Sequence, residues 1–304
     1  MHYLDLADKK ANSSGYSNTY FLLFKQLRPK QWTKNLLVFA ALLFSYEMIN
    51  YYSLFNTVVC FFLFSFISGC VYIVNDYLDI EADRQHPIKK NRPMASGALS
   101  PKLALVFGAS VLIISLTVAF FLSHLLMFLL ILYFVLNVFY SIKLKHVVII
   151  DVMIIASGFV LRAIGGGLVI NVPFTPWFLL CTMLLSLFLA IGKRRHELIL
   201  LTDNKTSHRK VLEKYSIQLL DQMNNIVATS TIICYSLFTF TSGKTVHLMW
   251  TIPLVIYGVF RYLYLIHIEE AGGAPDKVLY EDKHILITVI LFGASVAFIL
   301  AFLK

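Results

Sequence analysis

Apolar runs of about twenty residues, repeated along most of the chain, decide what this sequence can fold into. A bilayer core needs about 20 apolar residues per helical crossing. Runs that are continuous rather than alternating argue against a β-barrel. Such runs fall at 35–50, 54–75, 102–122, 124–141, 149–170, 175–193, 222–243, 247–266 and 285–303. The expectation is an all-α, polytopic membrane protein with nine transmembrane helices in one domain, 1–304, preceded by an interfacial or cytoplasmic segment at 1–34. Two spans meet at Ser123–His124, which demands a very tight turn. Composition agrees: 58% of the residues are hydrophobic and the mean hydropathy is +0.74, against about 45–50% apolar residues in soluble domains.

The charges orient these spans. Of the 26 lysines and arginines, all but Lys244, Lys304 and Arg162 fall on one side of a nine-span topology. Basic loops stay cytoplasmic. The N-terminus and the long polar loops at 76–101, 194–221 and 267–284 are therefore expected at the cytoplasmic face of a bacterial-type inner membrane. These loops account for the net charge of +9, so nucleic acid is not an expected partner. Residues 1–20 are polar and lack the small-residue cleavage site of a secretory signal. From Tyr20 to Lys34 apolar and basic residues alternate around Trp32, the pattern of a short interfacial helix. Cys60, Cys70, Cys181 and Cys234 sit in apolar runs without metal-ligand spacing and read as buried thiols.

The stretch Asn75-Asp76-Tyr77-Leu78-Asp79-Ile80-Glu81-Ala82-Asp83 closes the second span. Steps of three and four put Asp76, Asp79 and Asp83 on one helical face. Three carboxylates there repel one another unless a counter-charge joins them. A hard divalent cation beside phosphate oxygens, normally Mg2+, is the usual one. Asn75 adds a neutral oxygen or a donor, and Arg84, Lys89, Lys90 and Arg92 follow closely. Carboxylates, metal and cations together suit a diphosphate, because metal and cations share its charge. The alternative is a solvated, acidic helix end.

The motif Asn75-Asp76-x-x-Asp79-x-x-x-Asp83, at the cytoplasmic end of the second of nine spans, resembles the first aspartate-rich motif of the UbiA superfamily of intramembrane prenyltransferases. That resemblance implies a helical bundle with a polar cavity facing the cytoplasm and Mg2+ as cofactor. Most members carry a second aspartate-rich motif after the sixth helix. Here the matching residues read Gly192-Lys193-Arg194-Arg195-His196-Glu197-Leu198, and such cations favour direct phosphate contact over a second metal. In this departure the chain resembles the decaprenyl-phosphate phosphoribosyltransferase branch. The segments Arg28-Pro29-Lys30-Gln31-Trp32-Thr33-Lys34-Asn35, Tyr140-Ser141-x-Lys143-Leu144-Lys145 and Ser157-Gly158-Phe159-Val160-Leu161-Arg162-Ala163-Ile164 agree with it. The branch moves 5-phosphoribose from phosphoribosyl diphosphate to a polyprenyl phosphate, releasing diphosphate, in lipid-linked arabinose synthesis for the cell envelope. The resemblance thus implies both substrates and the bilayer as partners, and allows a homo-oligomer.

Roles follow from the resemblance and the chemistry together. Asp76, Asp79 and Asp83 are expected to hold Mg2+ on the diphosphate with Asn75 assisting, and Lys89 and Arg92 to contact phosphate. Lys193, Arg194 and Arg195 are expected on either the ribose 5-phosphate or the lipid phosphate. Tyr140, Lys143 and Lys145 divide between an acceptor-phosphate site and topogenic charge, and Lys34, close to Trp32, divides the same way. Arg162 lies mid-span, where an unpaired charge is costly. It shares a helical face with Asp151, and the two are read as lining one polar cavity; the alternative is an arginine bonded to backbone carbonyls. Glu197, Tyr215 and Asp221 are further catalytic candidates, set against ordinary loop polarity. His86 and His196 form no zinc pattern. Gly165-Gly166-Gly167 marks close helix packing or a local break. Two rivals stand beside this reading. An aromatic prenyltransferase of quinone or haem biosynthesis predicts a second carboxylate cluster, and a transporter predicts charges deep in several spans.

Overall fold

The computed structural model describes residues 19–45, 50–87, 89–202, 211–241, 245–269, 273, 277–278 and 281–303, and among them it contains helices and turns but no strand. Residues 19–26 are helical (α1) and a 3-10 run, Pro29–Val38, leads into α2, Phe39–Ser45. Then come α3 (Tyr51–Leu78), α4 (Ile80–Gln85), α5 (Pro101–Leu122), α6 (His124–Ile142), α7 (Ile150–Val169) and α8 (Pro176–Thr202). The chain closes with α9 (Ile217–Thr241), α10 (Ile252–His267) and α11 (Lys283–Phe302). The basic residues Lys9, Lys10, Lys205, Arg209, Lys210, Lys244 and Lys304 lie outside the described residues, as does most of the polar turn 269–275.

Among the described residues seven helices are long and apolar enough to cross a membrane: α3, α5, α6, α7, α8, the Val246–His267 stretch that ends as α10, and α11. Two of the nine expected spans are not among them. The span at 35–50 starts within the 3-10 run, its α-helical part is the 7-residue α2, and 46–49 are not described. The 25-residue α9 has the length, but Asp221, Gln222, Asn224 and Asn225 make its first half polar. The tight turn is as expected: a single extended residue, Ser123, separates α5 from α6. The interfacial helix expected over Tyr20–Lys34 is instead broken. Pro29 has no N–H and disfavours helical geometry at the residue before it, and Arg28 turns into the left-handed region at φ 53°.

The described residues form two compact units, one within Met1–Trp32 and Phe62–Ile142, the other within Thr33–Phe61 and Lys143–Lys304. In the first, Leu23 and Leu27 of the α1 end bury against Ile73, Met94, Leu99 and Ala104. Gly69 makes this fit, since a Cβ there would stand 2.6 Å from the Leu27 side chain. Trp32 donates its indole N–H to the Leu27 carbonyl (3.2 Å) and packs edge-on to Phe62 and Phe66. The chain around Arg28 is thereby fixed against α3.

In the second unit the glycine run of α7 serves close packing, and the helix continues through it. A Cβ on Gly166 would lie 2.0 Å from the Val38 carbonyl oxygen, and one on Gly167 would meet the Phe174 ring. Backbone cannot yield as a flexible side chain can. Gly166→Ala should therefore lower thermal stability by about 1–3 kcal/mol, as overpacking does. Gly293→Ala, with nothing within 4 Å of the added carbon, should not. Thermal unfolding of both variants in detergent checks this.

Candidate active site

The acidic motif lies where α3 passes into α4. Helical hydrogen bonding runs through the joint: Asp79 N–H donates to the Asn75 carbonyl (3.0 Å) and Asp83 N–H to the Asp79 carbonyl (2.8 Å). Asp76 and Asp83 consequently keep to one face, and both are buried at 3% exposure. They also share a cation. Arg92 Nη1 donates to Asp76 Oδ1 (3.0 Å) and to Asp83 Oδ2 (2.6 Å). Arg28 Nη2 donates to the same Asp76 oxygen, and Gln26 Nε2 donates to Asp76 Oδ2 (2.6 Å). The Arg28 guanidinium also stacks over the Tyr72 ring, 4.6 Å from its centre, a contact that favours a cation.

Buried carboxylates require such partners, because an unpaired buried charge costs several kcal/mol. Asp79 is the N-terminal cap residue of α4 and, like Asn75, is half-buried. Among the described residues no three His, Cys, Asp or Glu side chains gather closely enough to hold a metal by themselves. The pair nevertheless fits a hard divalent cation. Asp76 and Asp83 aim oxygens at one cationic nitrogen, and Mg2+ commonly takes only one or two carboxylates beside substrate phosphates and water. Lys89, on the short 3-10 turn Lys89–Asn91, is exposed.

The Lys193–Glu197 segment lies on α8 in the second unit. The expected set of three cations with one carboxylate becomes an almost balanced network once more distant residues join it. Arg194, 1% exposed, donates Nε to Asp151 Oδ2 (2.7 Å) and Nη1 to Glu197 Oε2 (2.5 Å). Asp151, at 0% exposure, also accepts from the Tyr215 hydroxyl (2.8 Å). That hydroxyl in turn accepts the Ile149 N–H (2.7 Å), and Ile149 is held at φ 69°, a strained position for a β-branched residue. Arg195 bridges α9 and α10 through Asp221 (2.6 Å) and the Ile266 carbonyl (3.2 Å). The geometry thus departs from the expectation that Arg194 meets a substrate phosphate: its guanidinium is enclosed by two carboxylates. Lys193 is half-buried, Lys143 exposed, and Lys145, Lys34 and Tyr140 half-buried.

Arg162 and Asp151 bond to different partners. Arg162 donates to Asn35 Oδ1 (2.6 Å) and to the Gly158 carbonyl (2.8 Å), which is the backbone-bonded alternative with a buried amide added. The second unit also holds a small cleft lined largely by Phe44, Phe174, Phe178 and Phe238, and no charged candidate borders it. His86 Nδ1 accepts the Lys89 N–H (3.3 Å), a local turn contact. Sequence reasoning missed Gln26 altogether. It read Arg28 as topogenic charge and as part of the segment that resembles the branch, but gave it no contact with the acidic motif, although the Arg-Pro step was a signal of a fixed backbone.

Burial pushes the Tyr215 phenol up to about 12; the Ile149 N–H works against this, and the bond to Asp151 adds to it. The folded value lies above the ordinary 10, so Tyr215 contributes stability that is complete below pH 10 and is lost as pH rises toward 12. Tyr215→Phe should be less stable at neutral pH, yet lose less stability than the parent between pH 10 and 12. Unfolding midpoints measured across that range test this.

The structure is thus a helical bundle with spans long and apolar enough to cross a membrane and a buried carboxylate pair bonded to arginines. The chain is a member of the UbiA prenyltransferase family, whose pattern it matches over residues 35–280. It is thus a multi-pass membrane protein. It is 31% identical to the decaprenyl-phosphate phosphoribosyltransferase of Mycolicibacterium smegmatis over 91% of this chain and 92% of that protein. It is 35% identical to the Corynebacterium glutamicum protein of the same name, over 86% and 81% respectively. The fold is similar to that of a UbiA homologue from Archaeoglobus fulgidus solved with GPP and Mg2+, with a TM-score of 0.72 at 19% identity over 92% of this chain and 99% of that one.

Proposed function

We propose that the chain transfers 5-phosphoribose from phosphoribosyl diphosphate to a polyprenyl phosphate, at the cytoplasmic face of a bacterial-type inner membrane. The observation that carries this reading is the extent of the likeness to the decaprenyl-phosphate phosphoribosyltransferases, which runs over 86–91% of the chain. The geometry supports it independently, since buried carboxylates interleaved with arginines suit a metal-bound diphosphate leaving group.

Asp76 and Asp83 would hold Mg2+, with Asp79 and Asn75 completing its surroundings. The ion, when bound, supplies positive charge to the departing diphosphate. Arg92, Arg28 and Lys89 bind the phosphate oxygens and fix the anomeric carbon in place. As the bond from that carbon to the diphosphate oxygen breaks, its electron pair leaves with diphosphate and the ribose ring takes on oxocarbenium character. A phosphate oxygen of the lipid forms the new bond. This acceptor is already anionic, so no strong general base is needed, and the chain's task is to hold two mutually repelling anions. Lys34, Tyr140, Lys143, Lys145, Lys193 and Arg195 are the candidates for the remaining phosphates. Asp221 positions Arg195 through their ion pair.

Incubating the purified protein with labelled phosphoribosyl diphosphate and polyprenyl phosphate tests the reading. Mg2+-dependent label in the lipid fraction supports it. Prenylation of an aromatic acceptor without any phosphoribosyl transfer would favour the related class of transferase.

A further inference from the structure

We propose that Arg92 is an internal counter-ion standing where the metal goes, so that divalent metal and diphosphate enter together and the bare metal binds poorly. The inference rests on the diphosphate reading of the Asp76 and Asp83 pair. A single guanidinium nitrogen accepts no second cation beside it. It lies 3.0 Å from Asp76 Oδ1 and 2.6 Å from Asp83 Oδ2. A metal joining those two oxygens at about 2.0–2.1 Å would occupy nearly the same place. One cation must therefore leave before the other enters.

Departure of Arg92 breaks two charge-assisted hydrogen bonds to buried acids, which are strong ones. Bare metal offers the freed guanidinium nothing in return. A metal-bound diphosphate offers several oxygens that match its planar fork. Arg92 is partly exposed, at 26% of its side chain, and follows the Lys89–Asn91 turn, so its outer end borders open space. Arg28 donates to the same Asp76 oxygen, which it must share or yield when the metal binds.

Gln26 gives an independent sign that the place is built for a further group. Its amide nitrogen donates to Asp76, yet its Oε1 is buried and has no partner among the described residues. Buried polar atoms are normally satisfied. A carbonyl oxygen beside a metal-binding carboxylate suits a metal-bound water or the ion itself. We assign Gln26 to the surroundings of the metal on this basis.

The test uses the full-length protein in detergent with Mn2+ as probe. Binding is measured for Mn2+ alone and for the preformed Mn2+–diphosphate complex, in the parent and in Arg92→Gln. The parent should bind the complex at least about tenfold more tightly than Mn2+ alone, within the range of ordinary coupling between sites. Arg92→Gln should bind Mn2+ alone about 5- to 50-fold more tightly than the parent does, and the complex more weakly. Unchanged or weaker binding of Mn2+ alone by this variant overturns the proposal. If Arg92→Gln does not fold, Arg92→Lys, which keeps a counter-ion without the fork, should bind Mn2+ alone about as poorly as the parent and the complex more weakly; much tighter binding of Mn2+ alone by this variant overturns the proposal. Asp76→Asn distinguishes the two levels: if it binds the complex as tightly as the parent, the diphosphate reading itself fails, whatever Arg92 does.

Discussion

Asp76→Asn should leave a folded protein whose phosphoribosyl transfer has fallen by about 10²–10³-fold or more, the scale of losing one preorganised charge-stabilising group. Asparagine keeps the size of the side chain and an oxygen that can still accept from Gln26. It removes the charge that faces Arg28 and Arg92 and one of two buried oxygen donors for the metal. The loss should appear in kcat and in the Mg2+ dependence together. Asp76→Ala should be worse for a different reason, since it leaves two arginines and a buried amide facing a void. Comparing both variants by melting temperature and by transfer of labelled phosphoribose separates chemistry from folding. Mg2+-dependent turnover near the parent rate in folded Asp76→Asn would remove Asp76 from the reaction.

Asp151→Ala should be among the most destabilising single changes in the second unit. It takes the Asp151 carboxylate from Arg194, at 1% exposure, and strips the Tyr215 hydroxyl of its acceptor. Breaking a buried pair by removing one member costs about 3–5 kcal/mol, on the order of 10 °C in melting temperature for a chain of this size. Replacing both members, as Asp151→Leu with Arg194→Met, should recover much of that, because apolar replacement of a whole buried pair is often neutral. The same variant addresses Ile149. Its positive φ is held by the N–H bond to Tyr215, so hydrogen exchange at that amide should speed up in Asp151→Ala. A double variant no more stable than the single one would mean that the pair is not the main contributor.

Long apolar runs were sufficient to place α3, α5, α6, α7, α8, α10 and α11, because a helix crossing hydrocarbon must satisfy its own backbone and show lipid an apolar surface. The two spans that did not reappear as such were those where this signal weakens: a 3-10 run before α2, and the amide-rich first half of α9. The acidic motif was legible for a related reason. Spacing along one helix is a local property, and steps of three and four put side chains on a common face whatever the rest of the chain does.

Partnership across elements was not legible. Lys193-Arg194-Arg195 reads as a run of free charge, and only folding brings Asp151 and Asp221, 43 and 26 residues away, onto two of its arginines. Likewise Arg28 and Gln26 reach Asp76 from 48 and 50 residues away. The sequence alone determined a multi-pass helical chain with acids spaced along one helical face, since hydropathy and helical spacing act over a few turns. Which cation answers which acid was decided by tertiary structure, because burial leaves no water to neutralise a charge and each acid must take the donor that packing brings to it.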